Sequence, residues 1–178
     1  MKIVVLKFGG TSVGTIEKIK KVTDIIIEYK KKKNKVIVVS SAMSGVTNDL
    51  IKKSKQISNN FLDSEYDVLV SSGEQVACSL IAGRLNHKGF KSRSWLGWQI
   101  PIFTNGPYTN SRIQQVNKNK LLRFLKEGGI PIITGFQGVN MNERVTTIGR
   151  GGSDASAIMI AKSFKAQRCI IYTCLLYT

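Results

Sequence analysis

The chain alternates between short strand-like segments and longer segments whose apolar residues recur with helical periodicity. The predicted strands are Val4–Leu6, Val36–Val39, Ser92–Leu96, Ile130–Thr134 and Cys169–Thr173, with a further short apolar run at Val145–Ile148. Val36–Val39 is apolar at every position, which is typical of a strand buried on both faces of a parallel sheet. Strands that alternate with helices predict an α/β fold in which helices sandwich a parallel sheet.

The helical segments fill the stretches between these strands. The first helix is capped by Thr15 and extends to about Lys33, with an apolar face made by Ile16, Ile19, Val22, Ile26 and Tyr29. Further helices are predicted after Thr47, after Glu74 (following a polar link around Ser58–Glu65), over Lys118–Lys126, and from Arg150–Asp154 onward. The irregular, aromatic Gly97–Arg112 segment is expected to form a hairpin or a lid.

Polar segments follow several of the predicted strands: Lys7–Ser12, Ser40–Thr47 and Thr134–Gly138. In a parallel α/β sheet, ligands bind outside the carboxyl ends of the strands, where these segments would meet. Lys7 beside Gly9-Gly10, with a helix following at once, indicates a phosphate site. The alternative is a tight turn with a surface lysine. This turn contains neither the P-loop pattern nor a Gly-x-Gly-x-x-Gly fingerprint.

Two further segments offer groups that suit an amino-acid ligand. Ser41, Ser44 and Thr47 carry hydroxyls that can bind a carboxylate or an amino group, although Thr47 can also cap a helix. Glu74 stands where a helix is predicted to begin, so it can complement the helix dipole or bind a substrate ammonium. We favour the ammonium.

The last glycine pair completes the candidate chemistry. Arg150 precedes Gly151-Gly152, and its forked guanidinium suits a carboxylate. Ser153 and Asp154 are ordinary N-cap residues, and Asp154 could also orient Lys7 or bind Mg²⁺. Such a set suits phosphoryl transfer, which needs positioning and charge neutralisation more than covalent groups. A carboxylate acceptor, with a pKa of about 4, needs no general base.

Composition narrows the classes of function. The 178 residues carry a formal net charge of +16, from 27 Lys and Arg against 11 Asp and Glu. These basic residues are spread along helices without interleaved aromatics, which argues against nucleic acid and favours anionic small substrates. Cys78, Cys169 and Cys174 have no metal or redox spacing, and no apolar run approaches membrane-spanning length. We therefore expect a cytoplasmic protein with no membrane partner. The single histidine, His87, lies in a polar turn and is predicted to be a surface residue.

Four motifs together resemble those of aspartate kinase, a member of the amino acid kinase superfamily, in that family's order and spacing. They are Lys7–Val13, Val39–Thr47, Ser72–Gln75 and Thr146–Asp154. Gly135–Gly138 and Ser94–Trp98 also match, and the resemblance covers residues 1–173. It implies an amino acid kinase-like three-layer sandwich with a mostly parallel central sheet, here truncated. It also implies ATP-dependent phosphorylation of the side-chain carboxylate of L-aspartate to 4-phospho-L-aspartate, the first step toward lysine, threonine and methionine.

The resemblance also assigns roles to residues of this chain. Lys7 and Asp154 would be catalytic, with Lys7 stabilising the transferring phosphoryl group and Asp154 organising the lysines and the metal. The residues implied at the ATP phosphates are Lys7, Phe8, Gly9, Gly10 and Thr173. Those implied at aspartate are Ser41, Thr47, Glu74, Arg150, Gly151, Gly152 and Ser153, with Glu74 facing the ammonium and Arg150 a carboxylate. The implied cofactor besides ATP is nucleotide-bound Mg²⁺, with no separate metal site.

The resemblance ends abruptly at Cys174. The family normally continues with Asp-Val-Asp-Gly-Val-Tyr-Thr, whereas this chain continues with Cys174–Thr178. We expect residues 1–173 to be the N-terminal part of an amino acid kinase domain, holding the aspartate site and the phosphate edge of the ATP site, and 174–178 to be a non-native tail. The 178-residue piece is expected to be inactive alone, and the full-length protein to form a homo-oligomer.

Three other functions compete with this interpretation. Another amino acid kinase could act on acetylglutamate or glutamate, although Glu74 and Arg150 in their motifs argue against it. A non-catalytic amino-acid-binding fragment would bind aspartate without any effect of ATP. A basic nucleic-acid binder would show strongly salt-dependent binding.

Overall fold

The computed structural model describes residues 2–173, so the prediction about Cys174–Thr178 lies outside the described residues. Strands and helices alternate along this range. The strands are β1 (Ile3–Phe8), β2 (Lys35–Ser40), β3 (Ser92–Trp95), β4 (Ile102–Asn105), β5 (Arg112–Val116), β6 (Ile130–Thr134), β7 (Gln137–Val139), β8 (Val145–Thr147) and β9 (Arg168–Tyr172). The helices are α1 (Ile16–Lys31), α2 (Val46–Ile57), α3 (Asp63–His87), α4 (Asn119–Lys126) and α5 (Gly152–Ser163).

A five-stranded parallel sheet forms the centre of the fold, in the order β3-β6-β2-β1-β9. Phe8 at the end of β1 is in register with Ser40 of β2 and Tyr172 of β9, and Ser40 is in register with Thr134 of β6. The carboxyl ends of four strands therefore meet at one edge. This register confirms the predicted α/β class and brings the loops after β1, β2 and β6 together.

Each face of this sheet supports its own core. Val4, Leu6 and Phe8 of β1 pack with α1 and α3, whereas Ile3 and Val5 pack with α4, α5 and part of the second sheet. Both sets are buried, so β1 and β2 must be apolar at successive positions rather than at alternate ones. The three layers and the mostly parallel central sheet agree with the predicted sandwich.

The second sheet is small, with the order β5-β4-β7-β8. Antiparallel pairing of β4 with β5 confirms a hairpin within and beyond the irregular Gly97–Arg112 segment. Sequence patterning does not separate this sheet from the central one, because its strands are only three to five residues long.

Helix α3 corrects one prediction. It is continuous over 25 residues, so Glu74 lies in its interior and not at a helix start. The hydroxyls of Ser71 and Ser72 donate to carbonyls three residues earlier in the same helix, which satisfies polar groups that suggested a loop. A Cβ on Gly73 would lie 2.9 Å from the Cβ of Ala42, so the glycine permits close packing against the loop after β2.

The N-cap residues follow the prediction for α1 but not for α2 and α5. Thr15 caps α1 and accepts a hydrogen bond from the Lys18 N–H at 3.3 Å, as predicted. The cap residues of α2 and α5 are instead Gly45 and Gly151, both with positive φ, so Thr47, Ser153 and Asp154 lie within the first helical turns. The N-cap roles considered for these three residues are therefore wrong, and their side chains are available to the cleft described below.

The position of the single histidine and the character of the helices test two further predictions. His87 is exposed, as predicted, but it is the last residue of α3 rather than part of a turn. Among residues 2–173, no helix is both long enough and apolar enough to cross a membrane.

Candidate active site

A cleft of about 310 Å³ opens at the carboxyl edge of the central sheet. Its walls come from the loops after β1 and β2, the middle of α3, and the segment between β8 and α5. The predicted residues that line it are Lys7, Gly10, Ser41, Thr47, Glu74, Arg150, Gly151, Gly152, Ser153 and Asp154. Residues that are up to 147 positions apart in the sequence thus share one site.

The glycine turn after β1 packs tightly against its neighbours. The Gly9 N–H donates to the Tyr172 carbonyl at 2.9 Å, and the Gly10 carbonyl accepts from the Ser44 N–H at 3.2 Å. A Cβ on Gly10 would lie 2.9 Å from the Ala42 carbonyl oxygen. Glycine is therefore required at position 10 so that the loops after β1 and β2 can approach each other.

Lys7 and Asp154 form the ion pair of the cleft. Lys7 lies in β1 with 6% of its surface exposed, and its Nζ is 2.6 Å from Oδ1 of Asp154 in the first turn of α5. The carboxylate of Asp154 is partly exposed, with 41% of the side chain accessible. The lysine charge is thus held at the floor of the cleft by a carboxylate that water still reaches.

Glu74 is a buried carboxyl group that has a hydrogen-bond partner in the described residues at only one of its two oxygens. Its Oε1 accepts a hydrogen bond from the Ala42 N–H at 3.1 Å, while its Oε2 has no hydrogen-bond partner within residues 2–173. Burial raises the pKa of Glu74 to about 7, and the Ala42 N–H opposes part of that rise. Such a group is suited to accept a hydrogen bond from a ligand cation, which would favour its ionised form.

Arg150 also lines the cleft. It is exposed, and it forms no ion pair with the described part of the chain. Gly152, two positions later, packs against Phe136 and Ile148, where an added Cβ would come within 2.9 and 3.0 Å of side-chain carbons. The tightly packed glycine segment therefore fixes the backbone between Arg150 and the first turn of α5.

Three of the predicted phosphate residues lie outside the cleft lining. The side chain of Phe8 is fully buried and stacks on Tyr172 with ring centroids 4.9 Å apart, so only its backbone is left for a ligand. Gly9 lies beside the site, since a Cβ there would be 3.5 Å from the Lys7 Nζ. The Thr173 carbonyl accepts a hydrogen bond from the Thr11 hydroxyl, which places it next to the same turn.

Sequence reasoning missed two residues near the cleft. Asn48, in the first turn of α2, contributes to its lining. Asp67 is fully buried in α3 and accepts hydrogen bonds from Thr109 and Thr147. The available signal for Asp67 was its spacing of seven residues from Glu74, which places both on one helix face.

The chain belongs to the amino acid kinase family, whose sequence model matches residues 2–174. Within that family it is similar to aspartokinases. It is 47% identical over 173 residues to the aspartokinase of Geobacillus stearothermophilus, a match that covers 97% of this chain and 42% of that protein. This chain therefore spans less than half the length of that curated relative.

Solved structures give the same grouping. The aspartate kinase of Synechocystis superposes with a TM-score of 0.82 at 38% identity, covering 96% of this chain and 28% of that one. Aspartokinase III of E. coli, solved in complex with aspartate and ADP, superposes with a TM-score of 0.85 at 25% identity, covering 97% of this chain and 49% of that one. These likenesses confirm the predicted fold and the predicted family.

Proposed function

We propose that this chain forms the acceptor-binding half of an aspartate kinase, which transfers a phosphoryl group from ATP to the side-chain carboxylate of L-aspartate. The observation that carries the proposal is that one cleft is lined both by Glu74, whose Oε2 has no partner within residues 2–173, and by the exposed Arg150. An amino-acid dicarboxylate presents the complementary groups. The aspartokinase relatives, and the neighbour solved with aspartate and ADP, support the same substrate pair.

The amino acid is held at its two charged ends in this proposal. Glu74 receives the ammonium, and Arg150 binds a carboxylate through its planar fork. The hydroxyls of Ser41, Thr47 and Ser153 and the backbone of Gly151-Gly152 provide additional polar contacts, since all of them line the cleft. The two charged contacts together favour a substrate that carries both an ammonium and a carboxylate.

The phosphoryl group passes next to Lys7. A side-chain carboxylate oxygen attacks the γ-phosphorus, the new P–O bond gives the acyl phosphate 4-phospho-L-aspartate, and the bond to the leaving ADP breaks. Lys7 neutralises charge on the transferring group, and Asp154 keeps its ammonium in place. The backbone of Phe8, Gly9, Gly10 and Thr173 borders the phosphates. The acceptor is already ionised near neutral pH, so no base is required.

Mg²⁺ would arrive with the nucleotide. Residues 2–173 contain no group of three or more potential metal-ligating side chains, and Asp154 is the partly exposed carboxylate at the phosphate end. Mg²⁺ bound to nucleotide phosphates needs only one or two protein carboxylates, so this single group fits such an ion and no dedicated metal cage. When bound, the ion would supply further neutralisation of phosphate charge.

The proposal extends to the rest of the protein. Residues 1–173 are proposed to be the N-terminal part of the kinase domain, with 174–178 as a non-native tail. The full-length enzyme is proposed to act in the cytoplasm, as a homo-oligomer, in the synthesis of lysine, threonine and methionine. Reading the source gene across codons 173–178 tests the first point, because Asp-Val-Asp-Gly is expected after Thr173.

The activity itself is tested by trapping the acyl phosphate with hydroxylamine. The full-length protein that contains this chain is expected to give ATP-dependent aspartyl hydroxamate, with aspartate preferred over glutamate and acetylglutamate. The 178-residue chain, assayed in parallel, is expected to give none. A full-length protein that binds aspartate but never consumes ATP would be a binding module instead, and preference for another acceptor would replace the proposed substrate.

The raised pKa of Glu74 predicts a pH dependence for aspartate binding. Only the ionised carboxylate can pair with the ammonium, so with a pKa of about 7 the affinity should rise about tenfold from pH 6 to pH 8 and then level off. Binding near pH 7 should release a proton, which calorimetry in buffers of different ionisation enthalpy would detect. The matched variant Glu74→Gln should lose both effects. An unchanged affinity across this range would contradict the assigned role.

A further inference from the structure

Asp67 is a buried carboxylate that no assigned step uses. Its residue surface is fully inaccessible, and it accepts four hydrogen bonds. The Thr109 N–H reaches both of its oxygens, at 3.0 and 3.1 Å. The Thr147 N–H lies 2.8 Å from Oδ2 and the Thr147 hydroxyl 2.6 Å from Oδ1. None of the ion pairs within residues 2–173 involves it, so neutral donors alone support this charge.

Two of these bonds come from Thr147, on the segment that carries Arg150, and the other two come from Thr109, in a loop beside that segment. Thr147 is the last residue of β8 and lies three positions before Arg150. Thr109 lies in the β4–β5 loop, with a positive φ of 65° that a non-glycine residue rarely adopts. The neighbouring Asn110 packs against Gly149, where an added Cβ would be 2.6 Å from the Asn110 Oδ1. We call residues 147–150 the arm of Arg150. Asp67 therefore holds both the start of this arm, at Thr147, and the β4–β5 loop that packs against it.

Arg150 depends on this arm for its position. The guanidinium makes no ion pair within the described range, so no acidic side chain there fixes it. The backbone that leads to Arg150 is held instead, because the Ser111 N–H donates to the Thr147 carbonyl at 2.9 Å and the Ile148 N–H donates to the Phe136 carbonyl at 2.9 Å. The anchor at Thr147 thus acts on the rim of the cleft through two intervening residues.

The same helix also carries Glu74, which lines the cleft. Glu74 lies seven residues after Asp67 in α3, on the same face and about 10 Å further along the axis. Glu74 binds the Ala42 N–H of the loop after β2, whereas Asp67 binds the β8–α5 arm. One rigid helix therefore sets the separation between the proposed ammonium-binding group and the proposed carboxylate-binding group.

We propose that Asp67 is a positioning residue of the amino-acid site, which places Arg150 at the distance from Glu74 that the substrate requires. The inference rests on the proposed function, since it concerns the same cleft. It goes beyond that function by giving a role to a residue that touches no substrate. We expect the larger effect at the amino-acid end, because Asp154, which pairs with Lys7, lies further along the chain inside helix α5.

The informative variant is Asp67→Asn in the full-length protein. Its amide keeps the volume and one acceptor oxygen, and the Thr147 hydroxyl can reverse to accept from the new NH₂ group. The loss of charge and of one acceptor should loosen the arm and raise the KM for aspartate about tenfold, as expected for a small displacement of a binding group. The KM for ATP and the melting temperature should change little. Thr147→Val should act in the same way, and Thr147→Ser should be silent.

A matched control separates this effect from the general cost of losing a buried hydroxyl. Thr104→Val removes a hydroxyl that pairs with Thr146 at 2.6 Å in the same small sheet, whereas the hydrogen bonds to Asp67 come from Thr109 and Thr147. It should leave the KM for aspartate unchanged. A double variant of Asp67→Asn with Arg150→Lys should raise that KM about as much as Arg150→Lys alone, because both changes remove the same contact.

The outcomes distinguish the two proposals. If the unmodified protein shows no aspartate-dependent turnover, the proposed function fails. If it turns over aspartate, but Asp67→Asn leaves the KM for aspartate within twofold, the positioning role is overturned alone. The same holds if the effects of Asp67→Asn and Arg150→Lys multiply, or if Thr104→Val matches Thr147→Val.

Discussion

Replacing Lys7 by glutamine is expected to lower the kcat for aspartate phosphorylation about 10³-fold, the upper range for removing one preorganised electrostatic donor. The lysine ammonium is almost fully buried and lies 2.6 Å from Asp154, so its direction is fixed before the substrates bind. A buried charge of this kind interacts more strongly with a developing phosphoryl charge than a solvated one would. Because the contact forms mainly in the transition state, kcat should fall more than the affinity for aspartate.

Two comparisons make this result specific. Lys35→Gln alters a partly buried lysine in the neighbouring strand β2 whose Nζ contacts the Leu125 carbonyl, remote from the cleft. It should leave kcat within twofold. Asp154→Asn should give a smaller loss than Lys7→Gln, since it weakens the placement of the ammonium without removing its charge. If the Lys7→Gln enzyme retains a fifth or more of the parent kcat, Lys7 does not take part in the chemical step.

The second large effect is expected from Glu74→Gln, which should raise the KM for aspartate roughly 100-fold, since it removes one member of a buried charge pair. The glutamine carbonyl can still accept from the Ala42 N–H, so the fold around α3 is retained. The amide NH₂ then occupies the place of Oε2 and presents a donor to the substrate ammonium. The KM for ATP should stay nearly constant, because the phosphate end of the cleft is built from other residues.

Although Glu74→Gln should weaken aspartate binding, it should not lower the free energy of unfolding at pH 8. The pKa of Glu74 is raised in the folded protein, to about 7 from 4.5, so the folded state holds this proton more tightly than the unfolded chain does. Its contribution to stability is full below pH 4.5 and is lost as the pH rises through 7. At pH 8 the ionised carboxylate is therefore a cost that Glu74→Gln removes. The variant should melt at the same temperature as the parent protein or higher, and a lower melting temperature would indicate a structural role instead.

Much of the fold is predictable from local pattern. The β-branched run Val36–Val39 identifies a sheet that is covered on both sides, because strands buried on both faces must be apolar throughout, and its residues alternate between the two cores. The loop motifs indicate phosphate and amino-acid chemistry through their glycines and charges. These motifs occur in the order and spacing of the aspartate kinase family, which identifies the family. The comparisons confirm both the fold and the family.

Helix α3 shows where local pattern fails. Ser71, Ser72 and Gly73 have weak helix propensity, so the sequence predicts a loop before Glu74. In the folded protein the two hydroxyls bond within the helix and the missing Cβ admits Ala42, which makes these residues favourable at mid-helix. The local sequence predicts neither the contact with Ala42 nor the 25-residue length of α3, because both depend on packing against a loop that is distant in the chain.

The sequence by itself determined the fold class, the family and the residue types of the cleft, since these depend on periodicity and on motifs that are local in the chain. Only the tertiary structure decided that Phe8 is a core residue, that Oε2 of Glu74 has no partner among residues 2–173, and that Asp67 accepts hydrogen bonds from Thr147. The physical reason is that burial and hydrogen-bond partners arise from segments as far apart as residues 67 and 147. A sequence pattern does not encode the distance between such segments until the chain has packed.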